Sequence, residues 1–238
     1  MLIQDSNQTV ILSEIDLLQS ELPLKNARIL ELGCGRAEKT QALAKLGLTQ
    51  EIIALEVDHQ QHAKNLQIGP IAGVTFALGG AQALPFADNS FDIVMMFKSL
   101  HHVPVAMLNA ALGEINRVLK PGGFAWISEP VFAGDFNEIM RLFHDEQSVR
   151  ELAFNAIKSA VETGSLNLSK QYFFNVRNQF KDFNDFDRRM IQVTHSDHRL
   201  PPDLYARVKA KFESFMDANG AQFLTPQRVD LLTKPLHS

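Results

Sequence analysis

The feature that most constrains the fold of this chain is an alternation of short apolar segments with helical ones across residues 28–128. Five of these segments are short and mostly rich in β-branched or aromatic residues, which predicts β-strands: RILEL, EIIALE, VTFA, FDIVMMF and GFAWIS. The segments between them predict helices. The clearest is 105–119, where apolar side chains recur at helical spacing before a Pro-Gly-Gly sequence. Alternating strands and helices predict a parallel sheet that is covered on both faces.

The remainder of the chain, residues 132–238, contains most of the phenylalanines and has mainly helical patterns. Three helices are predicted there, over 136–161, 183–195 and 204–216. Two further strands, near 171–180 and within 222–232, could complete the sheet. Four apolar side chains, at 136, 139, 140 and 143, lie on one face of the first predicted helix. We expect most of this Phe-rich part to form core and a few of its side chains to line a pocket.

Length and composition exclude several classes of protein. With 238 residues, 45% of them apolar and 21% charged, the chain has the size and composition of one large globular domain. Its longest strongly apolar run has five residues, whereas a membrane-spanning helix needs about twenty. The N-terminus does not have the pattern of a signal peptide, so we expect a cytoplasmic protein. The net charge of −4 argues against a nucleic-acid partner, and one cysteine cannot form an internal disulfide.

The strongest local motif is ILELGCGRAEKT, residues 29–40. A predicted strand ends near Glu31 and turns through Gly33 and Gly35 into a helix, so that the backbone can approach a ligand closely. The second strand ends at Glu56, about 20 residues further on, where a carboxylate can accept hydrogen bonds from both ribose hydroxyls. Taken alone, the glycine turn could be only a tight connection between strand and helix. Taken alone, Glu56 could be only a solvated residue at the end of a strand. Their joint spacing predicts a ligand that contains a nucleoside.

Four stretches resemble a known family in their order and spacing: ELGCGRA, ALEVD, GGAQALPFADNSFDIVMMFKSLHHV and EINRVLKPGGFAWISEP. Together they resemble the class I S-adenosylmethionine-dependent methyltransferases, in the small-molecule branch that includes ubiquinone and menaquinone methyltransferases. The resemblance covers roughly residues 26–131. It implies an α/β fold with a Rossmann-like, seven-stranded, mostly parallel sheet whose last strand is antiparallel. Helices would cover both faces, and a helical lid would follow strand five.

The resemblance implies S-adenosylmethionine as cofactor and S-adenosylhomocysteine as product. The cofactor-binding residues that it implies are Glu31, Gly33, Cys34, Gly35, Glu56, Val57, Gly80, Ala81, Gln82, Phe97 and Lys98. Two positions depart from the family pattern. Ala37 stands where a third glycine is usual, and Gly80 stands where an aspartate commonly accepts from the adenine amino group. Losing that hydrogen bond would cost on the order of 1 kcal/mol, about fivefold in affinity, unless Gln82 or the backbone of Ala81 compensates.

The catalytic candidates are His101, His102 and Glu129, since they follow strands four and five and would face the same crevice. A neutral histidine could take a proton from the acceptor. A base is optional, because methyl transfer depends chiefly on binding and orientation. For each candidate a purely structural role is the alternative. The His-Ser-Asp-His cluster that ends at His198 lacks a further clear ligand, so no metal site is expected there.

We expect the chain to divide into four segments: an N-terminal helical segment (1–25), a cofactor-binding core (26–131), a helical substrate lid (132–200), and a C-terminal helix with closing strands (201–238). The expected function is methyl transfer to a small, fairly apolar metabolite. One alternative is a non-catalytic binding protein that keeps the fold. The other is an NAD-type oxidoreductase, which is disfavoured because Glu38 stands where the third glycine of its motif would lie.

Overall fold

The computed structural model of the chain describes residues 1–193 and 198–236. Its strands are β1 Arg28–Leu32, β2 Glu51–Glu56, β3 Val74–Leu78, β4 Phe91–Phe97, β5 Leu119–Pro130, β6 Asn167–Phe180, β7 Met216–Asp217 and β8 Gly220–Thr233. Its α-helices are α1 Glu14–Glu21, α2 Glu38–Lys45, α3 His59–Leu66, α4 Leu108–Val118, α5 Asp135–Met140, α6 Gln147–Glu162, α7 Phe183–Phe186 and α8 Pro202–Glu213. All five strands predicted in the first half of the chain are present.

The strands form one sheet in the order β3-β2-β1-β4-β5-β8-β6, and the two-residue β7 pairs with β8. Strands β1 to β5 are parallel to one another, whereas β8 runs antiparallel to both β5 and β6. This confirms the predicted fold, a mostly parallel sheet with an antiparallel last strand. In the described part of the chain the sheet has eight strands, one more than predicted, because of the short β7. Because the chain crosses over between β1 and β4, the carboxyl ends of these two strands border the crevice in which doubly wound sheets bind ligands.

Helices cover both faces of the sheet, as predicted. Successive side chains of β4 point to opposite faces: Val94 packs with Ile115 of α4 and Ile157 of α6, whereas Met95 packs in a second cluster that includes Leu18 of α1. The uninterrupted apolar run IVMMF at residues 93–97 of β4 therefore reflects a strand that is buried on both sides.

A third, Phe-rich cluster lies beyond the end of β5. Only residues 227–233 of β8 pair with β5, whereas β6 pairs with β8 as far as Ala221, so these two strands extend past the rest of the sheet. Their extension carries Phe180 and Phe223, which pack with Phe186 and Phe212. The four side chains predicted to share a helical face belong to this cluster or pack against it. Most of the Phe-rich part is therefore core, as expected.

The structure differs from the sequence prediction at three helices. The helix predicted over 136–161 is two helices, because the chain turns between Arg141 and Glu146. The helix predicted over 183–195 forms α7 and a short π-helical turn to Ile191, and its last two residues lie outside the described part. Helix α8 ends at Glu213, before the predicted end at 216.

The segment 132–200, predicted as a helical lid, also contributes to the sheet and its core. It contains β6 and helix α6, whose Ala153 and Ile157 pack on the same face as α4. That part of 132–200 acts as a substrate lid stays a prediction. None of the helices in the described part of the chain is long and apolar enough to span a membrane.

Candidate functional site

The turn after β1 has the backbone geometry that its glycines allow. Gly33 has φ +72° and Gly35 has φ +52°, both in the left-handed region that favours glycine. A Cβ on Gly33 would lie 2.7 Å from the Cβ of Ser99, so this residue is also needed for the close approach of the chain after β4. A Cβ on Gly35 would meet no atom within 4 Å. Open space therefore lies beside the second glycine of the turn.

Glu56, at the end of β2, faces this turn. Its Oε2 accepts a hydrogen bond from the backbone N–H of Gly35 at 2.7 Å, and its Oε1 accepts from the N–H groups of Val57 and Asp58 at 2.8 and 2.9 Å. The carboxylate is thus fixed by three backbone donors and joins the ends of β1 and β2. Glu56 lies where the sequence predicted a ribose-binding carboxylate, although the role itself stays a prediction.

Glu31 is almost completely buried and accepts a hydrogen bond from the Thr40 hydroxyl at 2.6 Å. Burial raises the pKa of its carboxyl to about 7, because desolvation disfavours the charged form more than Thr40 and Lys39 favour it. Cys34, also buried, has a pKa raised by the same cause, with the nearby carboxylates of Glu31 and Glu56 adding to it. A thiol in this environment is not a nucleophile.

The residues expected at the adenine edge have mixed exposure. Val57 is 60% exposed, an apolar side chain left open at the mouth of the turn, whereas Ala81 is buried. A Cβ built on Gly80 would lie 2.5 to 3.0 Å from the side-chain amide of Gln82. The Gln82 amide therefore fills the space beside Gly80 that an aspartate side chain would enter. Ala37, the other departure, is buried with φ +58°, a conformation that glycine adopts more easily.

The carboxyl end of β4 links the turn to a cavity of about 280 Å³. Lys98 follows Phe97 with φ +55°, and its exposed side chain lines the cavity. Within the described part of the chain it has no carboxylate within 4 Å. Lys98 therefore places a cation on the wall of the cavity, where it can contact a ligand.

The walls of the cavity carry both apolar and basic groups. The apolar lining is Val131, Phe136, Met140, Phe180, Met190 and Val193, and the charged or polar lining includes Lys98, His101, His102, His144, Glu146, Arg150 and Arg189. Two buried donors at this cavity, Asn137 Nδ2 and Arg150 Nε, have no hydrogen-bond partner among the described residues. The cavity is therefore more polar than the expected acceptor, a fairly apolar metabolite, would require.

His101 is buried between two carboxylates. Its Nδ1 is hydrogen-bonded to Glu129, and its Nε2 lies 3.4 Å from Oε1 of Glu146. Burial alone would lower the pKa of the imidazole, but the two carboxylates outweigh it and raise the pKa to about 9. The pairing with His101 also holds the pKa of Glu129 below its usual value in spite of burial. A histidine that is already protonated at neutral pH does not fit the expected role of a base.

His102 differs from its neighbour, since 47% of its side chain is exposed and it lines the cavity. Its Nε2 lies 4.0 Å from Oε1 of Glu146. Glu146 was not anticipated from the sequence. A weak signal for it existed, because the polar stretch HDEQ interrupts the apolar pattern of the helix predicted over 136–161. Of the His-Ser-Asp-His cluster, His195 and Asp197 lie outside the described residues, whereas His198 lines the cavity.

Part of the chain is similar in sequence to known methyltransferases. Residues 30–127 match the family described as "Methyltransferase domain". A demethylmenaquinone methyltransferase of Staphylococcus carnosus is 36% identical over 108 residues, which are 42% of this chain and 42% of that protein. An uncharacterized methyltransferase of Schizosaccharomyces pombe is 37% identical over 116 residues, or 44% of this chain and 40% of that protein. The match thus spans about two fifths of the length of these relatives.

Solved structures extend the likeness of fold to nearly the whole chain. The YcgJ protein of Bacillus subtilis has a TM-score of 0.63 and 20% identity, over 93% of this chain and 97% of that one. An S-adenosylmethionine-dependent methyltransferase of Methanosarcina mazei has a TM-score of 0.59 and 16% identity, over 96% and 100%. The 4+2 cyclase SpnF also matches, with a TM-score of 0.61 and 20% identity, over 93% and 79%. Residues 30–127 thus match a methyltransferase domain in sequence, and nearly the whole chain has the fold of these solved structures.

Proposed function

We propose that this chain transfers a methyl group from S-adenosylmethionine to a small-molecule acceptor. The observation that carries the proposal is the Glu56 carboxylate, which lies 2.7 Å from the backbone N of Gly35 at the ends of the first two strands. Open space beside Gly35 leaves room for a ligand at that carboxylate. The methyltransferase-domain match includes both residues and supports the same activity.

The residues around the turn offer groups that this cofactor can bind. A carboxylate offers about four acceptor positions, of which backbone donors occupy three at Glu56, so a ribose hydroxyl can take the fourth or replace the bond to Gly35. Glu31 would pair with the ammonium group of the methionine moiety, directly or through water. Exposed Val57 would pack on the adenine, and Gln82 could offer its amide oxygen to the adenine amino group in place of the missing aspartate.

When bound, the cofactor supplies a methyl group on a sulfonium with a neutral leaving group, so the protein has chiefly to bind and to orient. In this proposal the cofactor and the acceptor would come together at Lys98 and Ser99. Ser99 packs against Gly33 of the cofactor turn and donates its hydroxyl to the carbonyl of Leu32. Lys98, the preceding residue, lines the cavity. Cofactor and acceptor would therefore meet at the carboxyl end of β4.

The acceptor would occupy the 280 Å³ cavity. Phe136 and Phe180 offer an apolar wall, whereas Lys98 and His102 offer polar contacts. We therefore infer a small molecule that combines an apolar body with a polar or anionic group, and we expect the reaction in the cytoplasm. Of the three catalytic candidates, His101 and Glu129 form a buried ion pair, whereas His102 is half-exposed at the cavity and more accessible to the acceptor.

Calorimetric titration with S-adenosylhomocysteine tests the cofactor half of the proposal. The Glu56→Ala variant should bind about 10- to 150-fold more weakly, the loss expected when hydrogen bonds to a charged group disappear. Glu51→Ala removes a carboxylate from the other end of the same strand and is the matched control. Binding of NAD instead would support the oxidoreductase alternative. Binding of the cofactor product with no methyl transfer to any of a panel of small phenols, carboxylic acids and amines would support the non-catalytic alternative.

A further inference from the structure

Two histidine nitrogens lie close to one carboxylate oxygen at the wall of the cavity. His101 Nε2 lies 3.4 Å and His102 Nε2 lies 4.0 Å from the same atom, Oε1 of Glu146, and the three ligand atoms all fall within 4.8 Å of one another. We propose that His101, His102 and Glu146 bind one divalent transition-metal ion, such as Zn²⁺, at the wall of the acceptor cavity.

The backbone conformation does not by itself bring the two histidine rings together. His101 and His102 are consecutive residues of a 3₁₀ turn, Leu100–His102, and consecutive side chains of such a turn point about 120° apart. Their rings nevertheless lie 4.1 Å apart between centroids, and both direct a nitrogen toward Glu146. Two imidazoles and one carboxylate form a ligand set typical of catalytic zinc and of non-haem iron sites.

The distances suit a metal ion of ordinary size. Ligand atoms about 2.0 to 2.1 Å from a tetrahedral zinc ion lie about 3.3 Å from one another. Glu146 and His101 already have this separation, at 3.4 Å. His102 lies 4.0 Å from the same oxygen, so its half-exposed side chain has to move closer by a fraction of an ångström.

The two buried ligands are held in place on their far sides, as metal ligands commonly are. The other nitrogen of His101, Nδ1, is hydrogen-bonded to Glu129, whose second oxygen accepts from the N–H of Leu100 at 3.0 Å. The other oxygen of Glu146, Oε2, accepts from Arg150 at 2.6 Å. His101 Nε2 and Glu146 Oε1 thereby face each other at 3.4 Å, and a metal ion would share Oε1 with His144, whose Nε2 is hydrogen-bonded to this oxygen at 2.8 Å. A metal ion can bind Nε2 only when this nitrogen carries no proton, so a proton held there would pass to solvent.

Three protein ligands leave at least one coordination position for another group, and all three residues line the acceptor cavity. An acceptor oxygen bound there would lose its proton more readily, because a metal ion stabilises the anion. This use of the site rests on the proposed methyl transfer, whereas the metal site itself does not. It would give an acceptor hydroxyl the activation that ion-paired His101 cannot give as a base.

Metal binding can be measured directly on the full chain after treatment with a chelator. We expect one Zn²⁺ per chain in competition with a chromophoric chelator, and a visible absorption band on titration with Co²⁺. His102→Ala should weaken Zn²⁺ binding at least 100-fold. Its exposed side chain makes the variant a mild one for folding, and His59→Ala, an exposed histidine at the start of α3, is the control. Glu129→Gln should weaken Zn²⁺ binding about 10- to 100-fold, because Glu129 orients the metal ligand His101 without binding the metal itself.

The proposal fails if the wild-type chain binds no Zn²⁺ at micromolar concentration, or if His102→Ala binds it as tightly as His59→Ala does. Titration of the same samples with S-adenosylhomocysteine separates this outcome from a failure of the proposed function. Metal binding without cofactor binding would support the metal site and contradict the proposed methyl transfer. Cofactor binding without metal binding would contradict the metal site alone.

Discussion

Glu31 allows a sharp test of how the cofactor site affects the stability of the fold. Its carboxyl is 1% exposed and has a pKa raised to about 7 by burial, against 4.5 for the free group. This difference of about 2.5 units corresponds to about 3 kcal/mol at 1.36 kcal/mol per unit. Below pH 4.5 the carboxyl is protonated in both the folded and the unfolded chain. Between pH 4.5 and 7 the unfolded chain loses the proton first, so the free energy of unfolding falls as the pH rises.

We therefore expect Glu31→Gln to stabilise the chain without ligand by about 3 kcal/mol at pH 8, since glutamine keeps a partner for Thr40 without a buried charge. At pH 4 the two proteins should be equally stable. The measurement is urea unfolding at both pH values. Glu38→Gln changes an exposed glutamate at the start of α2 and should shift stability by less than about 1 kcal/mol. A stabilisation by Glu31→Gln that is the same at pH 4 and pH 8 would refute the reasoning.

The same carboxyl should couple cofactor binding to pH. An ammonium group favours the ionised carboxylate, so the affinity for S-adenosylhomocysteine should fall below pH 7, by up to about tenfold per pH unit. In Glu31→Gln the affinity should be lower at pH 8 and nearly independent of pH. Calorimetric titration between pH 6 and 8 measures both effects. A wild-type affinity that does not change over this range would place the ammonium group away from Glu31.

Three further predictions concern other residues of the site. Gly33→Ala should destabilise the chain by at least 1–2 kcal/mol in urea unfolding, because φ is +72° and the new Cβ would lie 2.7 Å from Ser99. The ring of His101 should titrate near pH 9 by NMR, and a midpoint near 6.5 would contradict the ion pair with the two carboxylates. The charged form of His101 should stabilise the fold fully below pH 6.5, and this contribution should be lost as the pH rises through 9. Gln82→Ala should weaken S-adenosylhomocysteine binding about fivefold, and Gly80→Asp in that variant should restore it.

The sequence predicted the central sheet and the cofactor turn because both depend on local signals. Each of the strands β1, β2 and β4 is a short apolar run bounded by turn residues, and each begins and ends where the pattern does. The prediction that Glu56 faces the glycine turn followed from the fold class, since the carboxyl ends of parallel strands meet at one edge of the sheet. The pKa values could not be predicted, because they depend on burial and on charges from other elements.

The acceptor side was decided by tertiary structure alone. The break between α5 and α6 brings Glu146 beside His101, and neither helical periodicity nor a motif indicates this contact between distant parts of the chain. The extension of β6 and β8 past the sheet is likewise invisible in the sequence, yet it places Phe180 at the cavity. Local pattern determined which elements form and where the cofactor turn lies. Only the packing of those elements determined which charges surround the acceptor, because that depends on contacts between residues far apart in the chain.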